Sequence, residues 1–169
     1  MENIRGGKMR HSWLYVGAAL VLGVVLLVGQ GWLFAAENAA GVIKYRQSVM
    51  RSHWGHLGGM FEILKSKLPY KEHIAGHARA LSESSKIIAD IFPEGTADGK
   101  TDAKKVIWQE LDDFKAKART LGREAAKLEK IAQTGSMADI GAQMKKVGKT
   151  CSSCHKKFRK PKEESYKRK

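Results

Sequence analysis

Only two cysteines occur among the 169 residues, too few and too close together for a disulfide framework. No run alternates apolar and polar residues as a half-buried strand does, so a sheet is not expected. Acidic residues are scarce: 17 stand against 31 lysines and arginines, a formal net charge of +14. No acid, base and nucleophile form a set that would make an enzyme. Aromatic and basic residues are not interleaved as a nucleic-acid groove requires, so nucleic acid is not an expected partner.

Charge is also missing from Trp13 to Val28, and the apolar stretch continues through Trp32, Leu33, Phe34 and Ala36. This is about the length of ~20 residues that crosses a bilayer. Arg5, Lys8 and Arg10 precede it against Glu2 alone, the bias of a segment whose N-terminus stays in the cytoplasm. A cleaved signal usually has a shorter apolar core and a small-x-small site. Leu33 and Phe34 stand three residues before the plausible cuts, and Phe34 fits poorly. A retained anchor is therefore preferred over a cleaved signal. The expected division is a basic N-terminus over 1–12, a membrane segment over 13–36, an exported domain over 37–160 and a basic tail over 161–169. Either reading of the membrane segment places the domain in a bacterial periplasm. The tail reads as solvated, and the basic surface around it as one that steers an acidic partner or rests on anionic lipid.

The exported part reads as four helices. Ile43, Met50, Trp54, Leu57, Phe61 and Leu64 recur at helical spacing from about residue 40 to 67, and a second stripe follows from 70 to 91. Phe92-Pro93-Glu94-Gly95-Thr96 and Asp98-Gly99 form a loop. Thr101 or Asp102 can cap a third helix that Gly135 closes. Ser136 and Asp139 resemble a capping box at the head of the fourth. The fold class is therefore all-α, an antiparallel four-helix bundle with an N-terminal transmembrane or signal helix. Trp54 and Phe61 are expected to line its core, and Tyr45 and Trp108 to lie in the core or at an interface.

Cys151-Ser152-Ser153-Cys154-His155 is the motif that carries chemistry. Residues three and four apart on a helix share a face, so both thiols can add to the vinyls of one porphyrin while His155 meets the iron. A thioredoxin-like reading of the two cysteines needs a strand before them. A zinc reading needs further ligands from His53, His56, His73 or His77, none of which makes a recognisable second half. One covalently bound haem c is the expected cofactor, with Cys151 and Cys154 as attachment points and His155 as metal ligand.

Further stretches then resemble a known family. Val42-Ile43-Lys44-Tyr45-Arg46-Gln47-Ser48-Val49-Met50, Leu68-Pro69-Tyr70, Phe92-Pro93-Glu94-Gly95-Thr96, Ile107-Trp108 with Phe114, and Cys151–His155 with Lys157-Phe158-Arg159 stand in the order of the class II cytochromes c. From about 41 to 160 the chain resembles this cytochrome c-prime family; the apolar N-terminal segment and the lysine-rich tail depart from it. The resemblance implies that Met50 faces the iron opposite His155. It implies as well that Arg46 sits near a haem propionate and Arg159 near the proximal histidine. A methionine so placed suits a low-spin iron with His155 and Met50 as its axial ligands. The leading expectation is thus a periplasmic electron carrier serving acidic or membrane-bound redox partners. The alternative is a five-coordinate haem protein that takes nitric oxide or carbon monoxide at an open distal site. His53 is a weaker candidate ligand, and relatives' pairing through their first two helices leaves a homodimer or an anchored monomer open.

Overall fold

A computed structural model describes the backbone of residues 10–168 and the side chains of residues 38–167. It contains helices α1 (Arg10–Lys65), α2 (His73–Ser85), α3 (Val106–Gln109), α4 (Leu111–Thr134) and α5 (Met137–Phe158). Two short 3-10 turns, Lys162–Glu164 and Tyr166–Arg168, follow. No strand occurs among the described residues beyond one isolated bridge between Ala103 and Arg159. The chain divides into a unit over 1–39 and a unit over 40–169. The expected basic N-terminus (1–12) and the membrane segment (13–36) fall where side chains lie outside the described residues. Among the described residues no helix is long and apolar enough to cross a membrane.

The larger unit is a bundle of α2, α4, α5 and the part of α1 from Ala40 onward, around one apolar core. Along α1 the buried positions are Ile43, Arg46, Val49, His53, Leu57, Met60 and Ile63. That stripe is turned from the expected one. Trp54 is 76% exposed, Phe61 45% and Tyr45 53%, so Trp54 and Phe61 do not line the core. The misreading has a physical cause: Arg46 and His53 occupy inward positions, and counting apolar residues alone moves the stripe onto its neighbours.

Helix α2 stops at Ser85, short of the expected end near Ile91. Its apolar pattern continues, with Ile88, Ile91 and Phe92 buried, but the amides of Lys86, Ile88, Asp90 and Phe92 reach back three residues. The Ser84 and Ser85 hydroxyls donate to the carbonyls of Ala80 and Ser82, and such side-chain competition loosens a helix end. Here α2 also passes close to α4. A Cβ at Gly122 would stand 2.4 Å from Ser85 Oγ, and Ser82 Oγ donates to the Gly122 carbonyl at 3.2 Å. Gly122→Ala is therefore expected to cost about 1 kcal/mol net, overpacking of about 1–3 kcal/mol outweighing the better helix propensity of alanine. In a Ser85→Ala background the same change is expected to stabilise. A denaturant-unfolding double-mutant cycle reads the reversal, and equal effects in both backgrounds would refute the contact.

The third expected helix begins late. Thr101 and Asp102 do not cap it; residues 101–105 stay non-helical, α3 is a single turn, and Glu110 (φ −122, ψ 48) breaks it from α4. Along α4, Phe114, Ala118, Leu121, Ala125, Leu128 and Ala132 are buried at helical spacing. Gly135 and Ser136 alone join α4 to α5, which sets those two antiparallel. The capping box is as expected: Asp139 N–H donates to Ser136 Oγ, and Ser136 N–H donates to the Asp139 carboxylate at 3.0 Å.

Candidate haem site

Helix α5 turns Ile140, Gln143, Met144, Val147 and Phe158 into the bundle. Cys151 and Cys154 continue that stripe, half-buried and packed on the core that Met50 of α1 also contacts. The end of α5 is held from several directions. Gln143 Nε2 donates to Glu124 O at 3.0 Å and to Glu124 Oε2 at 2.7 Å. Lys157 bridges Glu110 and Asp113, the latter at 2.9 Å, and these hydrogen bonds raise the Lys157 ammonium's pKa while lowering that of Asp113. Phe158 packs edge-on against Phe114, which meets Phe92 in the same way. The three motif residues are thus mounted on a rigid element.

Their electrostatics suit the group the motif implies. Burial, then the charge of Arg159 and then that of His53, pull the His155 imidazole down to about 4. His155 is therefore neutral at pH 7, with a lone pair free for a metal. Burial pushes both thiols up, Cys154 to about 11. The thioredoxin-like reading fails: it needs a strand before the two cysteines, and they lie instead within helix α5, preceded by helix α4. The zinc reading fails too: among the described residues no three histidine, cysteine or acidic side chains converge on a metal position. Two thiols and one neutral imidazole on a single helix face do fit a covalently held haem.

The other candidates are placed as follows. Arg46 is 3% exposed, and its guanidinium donates to Thr96 O at 2.8 Å, Thr96 Oγ1 at 3.3 Å and Thr101 Oγ1 at 3.0 Å. It also lies 4.6 Å from the centroid of the Phe92 ring. The resemblance implies a propionate partner; the contacts the structure gives it are all to the loop after α2. Gln47 Nε2 donates to Lys100 O in the same loop. The side chain of Arg159 is exposed, while its backbone pairs with Ala103. His53 is buried and hydrogen-bonds Ser84 Oγ through Nε2 at 2.8 Å. Trp108 Nε1 donates to the carbonyls of Phe92 and Pro93, each at 3.0 Å.

Sequence reasoning missed Thr96, Thr101 and Asp102. Asp102 accepts from Ser165 Oγ and from Tyr166 N–H, each at 3.0 Å. Those bonds dock the expected solvated tail on the loop. Asp102 had no signal of its own beyond its suitability as a helix cap.

A helical bundle with both thiols and the imidazole on the core face of its last helix is the architecture of a c-type haem protein. The cytochrome c' family model matches residues 41–159, and the chain belongs to that family, whose members carry one covalently attached haem c. It is 34% identical over 125 residues to the cytochrome c' of Rhodospirillum rubrum, a match covering 73% of this chain and 85% of that protein. Two solved structures of cytochrome c prime from Alcaligenes xylosoxidans are also similar. One is a nitric oxide complex of a leucine-to-isoleucine variant, the other a carbon-monoxide-bound leucine-to-glycine variant. Each has a TM-score of 0.66 and 30% identity, covering 73% of this chain and 97% of that one. These relatives overturn the expected electron carrier with His155 and Met50 as axial ligands. A sulfur-sealed iron has no position for either gas, and Met50 is a half-buried side chain in contact with the core, a common role for methionine.

Proposed function

We propose that this protein binds a small diatomic gas, nitric oxide or carbon monoxide, at a haem whose protein ligand is His155 alone. Cys151 and Cys154 would hold the porphyrin by thioether links, and the haem iron supplies one open coordination position for the gas. The observation that carries the reading is one neutral, half-buried imidazole, His155, beside two cysteines packed on the bundle core. His155 offers an uncharged lone pair, while Met50 belongs to the apolar packing around the same core as the two cysteines. Gas-bound relatives of similar fold support it.

In this reading the residues of the chain select as much as they bind. Met50 crowds the distal side, so a slim uncharged ligand enters while bulkier and charged ones are kept out. Burial first, and then the charge of Arg159, keep a proton off His155. The basic-then-apolar N-terminal segment directs the haem domain to the periplasmic side. Exposed Trp54 and Phe61 on α1 fit a homodimer through the first two helices.

The deciding experiment is the absorption spectrum with carbon monoxide titrated onto the reduced protein at neutral pH. The expected result is a high-spin ferric spectrum and saturable carbon monoxide binding. A low-spin spectrum with a sulfur-to-iron band at its red end, together with no carbon monoxide uptake, would refute the proposal.

A further inference from the structure

Four histidines lie along the α1–α2 side of the bundle, and two of them meet across the helices. His56 Nδ1 and His77 Nδ1 stand 3.0 Å apart, with ring centroids 5.3 Å apart and planes inclined by 58°. His77 lies against α1 where Gly59 leaves room: a Cβ there would come within 3.3 Å of its Nε2. This seating turns Nδ1 of His77 toward His56. Both rings are part-exposed, and Gly55 and Gly76 beside them have nothing packed over them.

We infer that His56 and His77 form a surface chelate for a divalent first-row transition-metal ion of the copper(II) or nickel(II) type, separate from the haem. In the metal-free protein one Nδ1 must donate a proton to the other, so the rings hold different tautomers. When both carry their proton on Nε2, both Nδ1 lone pairs are free, and rotation of the two part-exposed rings aims them at one point. The spacing lets both nitrogens reach one ion. Two nitrogens each about 2.0–2.1 Å from a metal stand about 2.9 Å apart at a right angle and about 3.3 Å apart at the tetrahedral angle. The 3.0 Å of the metal-free pair is within reach of either arrangement, and the donors choose the ion: copper(II) and nickel(II) bind imidazole ahead of the earlier first-row metals. Magnesium and calcium, which take oxygen donors, do not fit.

Among the described residues no third ligand converges, so water completes the shell. His73, one turn before His77, stacks on Tyr70 at 5.1 Å, and His53 is committed to Ser84; neither belongs to the chelate.

The test is nickel(II) titration of the ferric holoprotein by calorimetry, beside His56→Gln, His77→Gln, His53→Gln and His73→Gln. A retained haem absorbance and an unchanged far-ultraviolet circular dichroism spectrum verify that each variant is folded with its haem. One saturable site is expected, with affinity falling roughly tenfold or more in His56→Gln and in His77→Gln and unchanged in the other two. Nickel is also expected to raise the melting temperature of the unaltered protein but not of His77→Gln, because the ion ties α1 to α2 only in the folded state. No saturable binding below about 1 mM, or equal binding by all five proteins, would overturn the assignment. Neither outcome bears on gas binding at the haem.

Discussion

Met50→Ala is expected to speed carbon monoxide binding to the reduced protein by roughly tenfold or more, about 1.4 kcal/mol off the barrier, with the ferric spectrum still high-spin. Met50 lies one turn past Arg46 on α1, in contact with the core that Cys151 and Cys154 touch. If it crowds the open position, an incoming ligand must push aside a flexible thioether, and shortening it to a methyl removes that work. Flash photolysis compares the two proteins directly. Association at an unchanged rate would mean that the crowding group is another residue, with His53 next to be tried. Conversion of a low-spin spectrum into a high-spin one by the substitution would instead return the sulfur to the iron.

Arg46→Ala should be strongly destabilising, lowering stability by about 1–3 kcal/mol, the range for leaving buried acceptors without their donor. Thr96 O and Thr96 Oγ1 would lose the Arg46 donor in a place water does not reach, since both threonines are buried, while Thr101 Oγ1 would keep only the Ala103 N–H. The guanidinium also sits over the Phe92 ring, so a cavity is left as well. Lysine at this position recovers part of the loss, because its ammonium cannot span the same acceptors with a planar fork. Urea unfolding of the holoprotein measures this as a lower midpoint at constant slope. A loss within about 0.5 kcal/mol, the range of ordinary surface changes, would show that the loop holds itself.

The haem-bearing end was the most readable part of the sequence, because thioether chemistry demands two cysteines and a histidine at one spacing. The capping box was readable for a similar reason: Ser136 and Asp139 satisfy each other locally, with no help from the rest of the chain. The stripe on α1 was misread because Trp54 and Phe61, seven apart, satisfy helical periodicity as well as the true inward positions do. Only partners distant in sequence reveal that Arg46 and His53 point inward. The role of Met50 was not readable either, since a thioether can ligate or merely fill space with the same spacing. Thr101 and Asp102 look like helix caps, and no local pattern shows that one is taken by Arg46 and the other by the tail.

The loop from Phe92 to Lys105 is gripped by parts of the chain that lie far apart along it. Arg46 and Gln47 hold it from α1, Lys104 N–H donates to Phe158 O and Lys160 N–H to Asp102 O at the end of α5, and Ser165 and Tyr166 close over Asp102. Releasing one grip leaves the others in force, so the segment has little to gain by opening alone. Its hydrogen-bonded amides, those of Thr101, Ala103 and Lys104, are expected to exchange with deuterium on the timescale of the whole bundle's unfolding, irregular as the loop's path looks.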